Sequence, residues 1–456
     1  MTTTSPRARV AAVLAGAAAL ALLVTGCSSD NGSSSAKKTD ASSTKTLAAA
    51  KTCADGFDSS TTFGLGTFLP LTGSLASLGP AAVAGAGEAL SEINAAGGVN
   101  GTDACIISTD SSDASNPTIG QQNINKLLQA KVSAILGAES SSVTENVLPT
   151  VSAASTVMFS PANTDDALTG ASKWYFRDAA PNSVEGNALG SQILSNGQTK
   201  VAILVFNDSY GTNLRDSIQK AVEGGGGSVV YGAKGKGQEF PATETTFGST
   251  VSAALATKPD AIVVDAFDQT NQILPALASA GWNMKNTYFV DGNLNDFTTV
   301  AGIPDLTGAQ GSVQGANPSD DFKKKLDNWY AKNQAGKKIT AYTYGAESYD
   351  ATIILALAAD LAGKSDPASI QANVLTVTGA KADGSGPADG ATSCKSYADC
   401  LKLIKGGNKN IHYEGQSGVG PLNAGHDPSS GYISIYQYEG KNYSKFITSI
   451  KGSGSK

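Results

Sequence analysis

Apolar, strand-like runs alternate with helix-like segments through most of this chain, and this alternation constrains the fold more than any other feature. Val201–Phe206 has the composition of a buried strand, and Thr212–Glu223 has helical spacing that ends in Gly224–Gly227. Strands that are apolar on both faces and separated by helices are typical of parallel sheets covered by helices on each side. The sequence therefore predicts an α/β protein with doubly wound sheets.

The alternation falls into two consecutive series, separated near Trp174–Arg177. The first series begins with the predicted strand Thr61–Pro70 and ends with Val157–Ser160, and the second ends with Tyr288–Val290. About 400 residues follow the N-terminal region, which is more than one ordinary core accommodates. Two lobes are therefore expected.

A third part of the chain follows these two series. It contains a predicted long helix, Tyr344–Ala362, and a predicted half-exposed strand, Gly431–Tyr438, whose residues alternate in polarity. Between them, the insertion around Gly379–Gly407 is polar, and its pattern indicates no function.

The N-terminus has the pattern of an export signal. Arg7 and Arg9 precede an apolar run from Val10 to Val24, which is too short for a permanent membrane helix. The ending Val24–Cys27 resembles the lipobox of bacterial lipoproteins, in which cleavage precedes the cysteine and lipid is attached to its sulfur; an ordinary signal peptide with a chance cysteine is the alternative. We expect a signal peptide over 1–26, a lipidated Cys27 with a flexible stalk over 27–52, and anchoring at the outer face of the cytoplasmic membrane.

Four further cysteines fit an oxidising compartment, where an even number is typical of disulfides. Three pairings are possible, and free buried thiols are the alternative. We favour Cys394–Cys400, which closes a short loop, and Cys53–Cys105, which would clip the start of the fold to its second strand.

Composition and motifs argue against several classes of protein. The formal net charge is −6, and loss of Arg7 and Arg9 makes it more negative, which argues against nucleic-acid binding. The sequence lacks G-x-S-x-G, P-loop, Rossmann and HExxH motifs, and His412 and His426 are not spaced as metal ligands, so neither an enzyme nor a cofactor or metal is expected. The carboxylate pairs Asp165–Asp166 and Asp265/Asp268 leave a surface enzyme as the weakest alternative.

Several short segments, taken in order, resemble one known family. They are Pro70–Gly79 with Gly87–Gly101, Gly137–Thr144 leading to Phe159–Thr164, Asn207–Gly211 and Glu347–Ala351. Together they resemble the branched-chain amino-acid-binding proteins of bacterial ABC importers, from about Thr61 to Tyr438. The resemblance implies the type I periplasmic-binding fold, in which two Rossmann-like lobes joined by three crossovers enclose a small solute.

The resemblance also implies lobe boundaries. Lobe 1 is expected over 53–180 with 316–424, and lobe 2 over 181–315 with 425–450. The crossovers would fall near Asp178–Pro181, Gly315–Asn317 and Asn423–His426.

In lobe 1, the resemblance points to two loops as the site. Ser141, flanked by Ser140 and Ser142, would bind the solute's carboxylate, since a helix N-terminus presents unpaired N–H groups to an anion. Ser142 with Glu145 fits a capping box. Ala162 would offer its carbonyl to an ammonium group, and Thr164 its hydroxyl and N–H.

In lobe 2, the resemblance points to an aromatic cover and an acid. Tyr210 matches the cleft tyrosine of the family, and Phe267 falls where another cleft aromatic is expected. Asp291 lies where the family has the acid that pairs with an α-ammonium group.

Three positions depart from the leucine-binding pattern. Leu78 stands where those members have an aromatic residue, and Glu139 and Ser140 occupy positions that line the side-chain pocket. Burying Glu139 beside an aliphatic ligand would cost roughly several kcal/mol. We therefore expect a polar or cationic amino acid or an amide-like solute, with Glu139 facing its far end.

The expected function is that of a monomeric solute receptor that hands its ligand to an ABC permease. A sensory receptor of the same fold, signalling to a membrane partner, is the alternative that the sequence leaves open.

Overall fold

The computed structural model describes residues 47–453, so the predicted export signal, Cys27 and most of the expected stalk lie outside the described residues. Within residues 47–453, no helix combines the length and the apolar character needed to cross a bilayer. The described chain forms two large sheets, each covered by helices.

The strands of this part of the chain are β1 Gly64–Leu69, β2 Cys105–Asp110, β3 Ala134–Gly137, β4 Val157–Ser160, β5 Tyr175–Arg177, β6 Lys200–Val205, β7 Ser228–Tyr231, β8 Ala261–Asp265, β9 Thr287–Phe289, β10 Gln310–Gln314, β11 Thr392–Cys394, β12 Ile411–Tyr413, β13 Ser430–Glu439 and β14 Tyr443–Ser453. The helices are α1 Gly79–Ala95, α2 Pro117–Gln129, α3 Ser141–Ala153, α4 Asn182–Ser195, α5 Ser209–Gly224, α6 Gly248–Ala256, α7 Thr270–Ser279, α8 Asp320–Asn333, α9 Gly345–Ala362, α10 Pro367–Gln371, α11 Val374–Val377 and α12 Tyr397–Lys405.

The first sheet contains five parallel strands in the order β2-β1-β3-β4-β5, and with its helices it forms lobe 1. The second sheet has the order β14-β13-β10-β9-β8-β6-β7 and forms lobe 2. The strand order reverses beside β1 in the first sheet and beside β6 in the second. At such a point, the loops beyond the carboxyl ends of the strands form a crevice.

The prediction of parallel sheets holds for β1–β5 and β6–β10, but it missed the end of the chain. The predicted strand Gly431–Tyr438 is confirmed as β13, which pairs antiparallel with β10 and with β14. The second sheet is therefore mixed.

Helix α9 confirms the predicted long helix and forms the centre of lobe 1. Every residue of α9 except Ala362 is buried, because it packs against α1, α8 and the first sheet. Tyr344, the first residue of the prediction, lies outside the helix with φ 62°, a left-handed conformation that is uncommon for a residue with a side chain.

Both favoured disulfides are present, Cys53–Cys105 and Cys394–Cys400. The stalk expected over 27–52 does not extend to its predicted end, because the N–H group of Ile106 donates a hydrogen bond of 3.0 Å to the carbonyl of Lys51. The backbone at this point is therefore paired with β2 before the disulfide begins.

The insertion around 379–407 has a structural role in lobe 1. It contains β11 and α12, and the Tyr397 hydroxyl donates hydrogen bonds to the Gly98 carbonyl at 2.9 Å and to Asp360 at 2.6 Å. These contacts hold the insertion against α1 and α9.

The two lobes are closed on each other. Leu75 and Leu78, which lie between β1 and α1, pack into the apolar core of lobe 2. The N–H group of Asp268 donates a hydrogen bond of 3.2 Å to the Ser74 carbonyl across the cleft.

A buried ion pair joins lobe 1 to the segment that leads into β13. Arg177, at the end of β5, contacts Asp427 through Nε at 2.7 Å and Nη2 at 3.1 Å, and both side chains are fully buried. The charge of Asp427 is therefore the compensation for a guanidinium group that water cannot reach.

Asp427→Asn should destabilise the protein by about 3–5 kcal/mol, because it leaves the buried guanidinium group of Arg177 without its counter-charge. Urea unfolding followed by circular dichroism measures the change. Asp321→Asn is the control, because Asp321 forms a solvent-exposed pair with Lys324 at 3.4 Å and should change stability little. Equal effects of the two substitutions would contradict a structural role for the buried pair.

Candidate functional site

Loops from the ends of six strands meet at a cavity between the lobes. They follow β1, β3 and β4 in lobe 1 and β6, β8 and β9 in lobe 2. The cavity is lined by Leu75, Leu78, Glu139, Ser141, Ala162, Tyr210, Phe267, Asp291, Gly292 and Tyr344.

The cavity is too small for a solute in this conformation. Its room for the centre of a water molecule is about 10 Å³. A single water needs roughly 10–15 Å³ by that measure. A larger guest therefore requires the lobes to separate.

Seven of the nine residues expected to contact a ligand line this cavity, namely Leu78, Glu139, Ser141, Ala162, Tyr210, Phe267 and Asp291. Ser140 and Thr164 do not line it. Thr164 lies next to it, with a buried hydroxyl that has no hydrogen-bond partner among the described residues.

Ser140 is the N-cap of α3, so the prediction that Ser142 caps this helix is wrong. The Oγ atom of Ser140 accepts a hydrogen bond of 3.4 Å from the N–H group of Val143, and its ψ of 125° is extended. A capping residue precedes the first helical residue, and α3 begins at Ser141. Ser140 consequently faces the helix end rather than the pocket that was expected for it.

Ser141 links the two loops of lobe 1 that follow β3 and β4 and line the cavity. Its Oγ atom accepts hydrogen bonds of 3.3 Å from the N–H groups of Thr164 and Asp165. The side chain of Asn163 donates a further bond of 2.8 Å to the Glu139 carbonyl. These contacts fix the backbone that follows Ala162.

Tyr210 and Phe267 form an aromatic wall on the lobe 2 side. Their rings stack with centroids 5.4 Å apart. Tyr210 lies in the first turn of α5, because Asp208 caps this helix by accepting a hydrogen bond of 3.0 Å from the Tyr210 N–H group. The predicted helix start at Thr212 is therefore three residues late.

Asp291 lies at the centre of a buried polar network. Its carboxylate accepts hydrogen bonds from the hydroxyl groups of Tyr210 and Tyr344. Its N–H group donates a bond of 3.1 Å to Glu185, which also accepts bonds from Ser312 at 2.7 Å and Gln314 at 2.8 Å.

Burial together with the negative charge of Asp291 raises the pKa of Glu185 well above its ordinary value. Burial also raises the pKa of Asp291, but the tyrosine hydroxyl groups oppose this by stabilising its charged form. The pKa of Glu185 is therefore raised more than that of Asp291, whose charged form the two hydroxyl groups stabilise.

Sequence reasoning missed Tyr344 and Glu185. Glu185 lies within α4 and Tyr344 just before α9, so neither follows a strand that the pattern linked to the cleft. The one local signal is the left-handed backbone of Tyr344, which is a feature of the structure rather than of the sequence.

Two buried carboxyl groups of lobe 1 lack the partners that buried charges need. Both oxygens of Glu139 and both of Asp178 are buried without a hydrogen bond in the described part of the chain. Burial, with the nearby charge of Glu347, raises the pKa of Glu139 to about 8. Burial likewise raises the pKa of Glu347 to about 8 and that of Asp178 well above its ordinary value.

The carboxylate pairs that left an enzymatic function as an alternative do not line the cavity. Asp165 accepts a hydrogen bond of 2.8 Å from the N–H group of Ala167, and Asp166 accepts one of 2.6 Å from the Ser183 hydroxyl. Asp265 is buried behind the lining and Asp268 lies outside it.

The protein should lose stability as the pH rises from about 5 to about 8.5. An acid whose folded pKa is raised contributes fully below its unfolded value near 4.5, and the contribution is lost as pH passes through about 8. Glu139→Gln should therefore flatten the fall of Tm over this range, measured by differential scanning calorimetry. Glu223→Gln, on the exposed face of α5, is the control, and an equally steep fall in the Glu139 variant would contradict the assignment.

Comparison with known proteins agrees with this geometry. A family model described as periplasmic binding protein matches residues 62–395. The Leu/Ile/Val-binding protein homolog 3 of Brucella melitensis biotype 1 is 23% identical over 322 residues, which are 68% of this chain and 82% of that protein.

Solved structures share the fold. The leucine-binding protein LivK of Thermotoga maritima superposes with a TM-score of 0.67 at 19% identity, covering 85% of this chain and 98% of that one. A solute-binding protein of an ABC transporter from Rhodopseudomonas palustris HaA2, in complex with p-hydroxybenzoic acid, gives 0.66 at 16% identity, covering 86% and 98%. Since the family model spans well over half of the chain, the chain belongs to the periplasmic binding protein family.

Proposed function

We propose that this protein is the lipid-anchored receptor of an ABC importer, which captures a small amino-acid-like solute between its lobes and delivers it to a permease. The observation that carries the proposal is the convergence of six strand-end loops, from both lobes, on one cavity between them. Relatives of this family include an ABC transporter component, which favours delivery over signalling.

Each lobe would hold one end of the solute. In lobe 1, Ser141 and the hydroxyl of Thr164 would bind a carboxylate at the N-terminus of α3, where the helix dipole favours an anion. Ala162 would accept a hydrogen bond from the ammonium group, and Asp291 of lobe 2 would pair with its charge.

Tyr210, Phe267 and Leu78 would enclose the middle of the solute. Tyr210 and Phe267 come from lobe 2 and Leu78 from lobe 1, so these contacts exist together only when the lobes are closed. A ligand shifts the balance between open and closed forms only through contacts that it makes better in the closed form. Hinge closure of this kind is well known in periplasmic binding proteins.

The receptor would act at the outer face of the cytoplasmic membrane, held by lipid on the sulfur of Cys27. A monomer suffices for this role, because one chain contributes both walls of the cavity. No cofactor or metal takes part in the proposed mechanism.

Cys27→Ala should release the protein from the membrane, because a lipid chain on this sulfur is the proposed anchor. Fractionation of cells expressing the variant measures the released share. Ser28→Ala, one residue later, is the control and should stay membrane-bound. Persistence of the Cys27 variant in the membrane fraction would contradict lipid anchoring and leave the binding proposal untouched.

Asp291→Ala should weaken binding of the solute by about 1–3 kcal/mol while the fold is retained, since it removes the partner of a buried ammonium group. A thermal-shift panel of amino acids and amides identifies a ligand, because binding to the folded state raises Tm. Titration calorimetry then compares the variant with the wild type. Asp305→Ala, on an exposed loop of lobe 2, is the control, and an unchanged affinity in the Asp291 variant would remove this residue from the site.

A further inference from the structure

The cavity between the lobes is acidic and has no basic counterpart. Its lining contains two carboxyl groups, those of Glu139 in lobe 1 and Asp291 in lobe 2, and none of the lining residues in the described chain is Lys, Arg or His. Buried charges are normally paired. What the cavity can bind therefore depends on whether each carboxyl group already has a partner within the protein.

Asp291 is already supported by its surroundings. Two tyrosine hydroxyl groups donate hydrogen bonds to its carboxylate. Glu139 has no such support. Both of its carboxyl oxygens are buried without a hydrogen bond in the described part of the chain, and Glu139 is only 3% exposed. It is an unpartnered acid aimed into the cavity.

The environment of Glu139 favours a cation rather than another guest. The charged group that acts on it is Glu347, an acid, which makes the local potential more negative. Its backbone is held in place by the hydrogen bond from the Asn163 side chain to its carbonyl. The stacked rings of Tyr210 and Phe267 add electron-rich faces, which attract cations.

Other solute classes would leave this acid uncompensated. An aliphatic side chain would leave the buried carboxyl group of Glu139 without a hydrogen-bond partner, at a cost of roughly 1–3 kcal/mol. A carboxylate-bearing aromatic would add a further negative charge to a lining that holds no base. Only a cationic group offers both charge compensation and hydrogen-bond donors.

We propose that the solute is an α-amino acid with a cationic side chain, whose α-ammonium group pairs with Asp291 and whose side-chain cation pairs with Glu139, with Glu347 increasing the local negative potential. This inference rests on the proposed function, because it names the solute of the same cleft. The side-chain cation of the solute then contacts lobe 1 and its α-ammonium group contacts lobe 2.

The experiment is titration calorimetry of the full chain with L-arginine, L-lysine and L-ornithine, and with L-citrulline as the comparison. Citrulline replaces the guanidinium group by an uncharged urea group of nearly the same shape. The wild type should bind at least one basic amino acid, and citrulline about 30-fold or more weakly than arginine, as expected when one partner of a buried charge pair is lost.

Variants locate the effect at Glu139. Glu139→Gln should weaken binding of the basic amino acid by a similar factor and change citrulline binding little, whereas Asp291→Asn should weaken both. Glu88→Gln is the matched control, because Glu88 is a buried acid of α1 that does not line the cavity. Circular dichroism melting of each variant confirms that it is folded.

Three outcomes would overturn the inference. Citrulline binding as tightly as arginine would show that Glu139 recognises an uncharged polar group, and 1,5-diaminopentane binding as tightly as lysine would show that the carboxylate is not recognised. L-Isoleucine or 4-hydroxybenzoate binding when no basic amino acid binds would reject a cationic solute while leaving the proposed function intact. The solute-binding part of the proposed function fails if a broad thermal-shift panel gives no ligand that closes the lobes in small-angle X-ray scattering.

Discussion

The buried contact between Arg177 and Asp427 is the interaction on which the arrangement of lobe 1 depends. All five N–H donors of Arg177 are used: two reach Asp427, two reach the carbonyls of Asn163 and Asp165, and one reaches the Thr169 hydroxyl. A guanidinium group is planar and rigid, so satisfying every donor fixes several segments in one geometry. The segments fixed here are the cavity-lining loop after β4 and the stretch of chain that leads into β13.

This arrangement makes the lobe 1 half of the site a preformed surface. The loop that holds Ala162 is fixed from one side by Arg177 and from the other by the Ser141 hydroxyl, which binds the N–H groups of Thr164 and Asp165. Preorganised groups lose less entropy on binding. The conformational cost of capture is therefore concentrated in moving lobe 2, with its Asp291 and aromatic wall, onto a surface that is already in place.

The sequence predicted those parts of the molecule that depend on the pattern of neighbouring residues. The buried strand β6 and the long helix α9 follow from runs of apolar residues, and seven of the expected site residues line the cavity because they follow strand ends that the topology brings together. The cap of α3 was misassigned, since three consecutive serines are chemically equivalent and only the backbone conformation decides which one precedes the helix. Glu185 and Tyr344 were missed because their proximity to Asp291 is created by tertiary packing across more than fifty residues of sequence.

The same packing predicts that lobe closure is coupled to the charge of the cavity. Arg177 contacts the cavity-lining loop after β4, but all of its donors are occupied, so it cannot pair with a carboxyl group of the cleft. Closing the lobes removes water from Glu139 and Asp291 and strengthens the repulsion between buried acids, because the effective dielectric falls. When no solute is bound, burial favours the protonated form of Glu139, and its pKa is raised for this reason. A cationic solute removes the need for that proton, so the charge that makes the empty closed form costly also makes the filled one favourable.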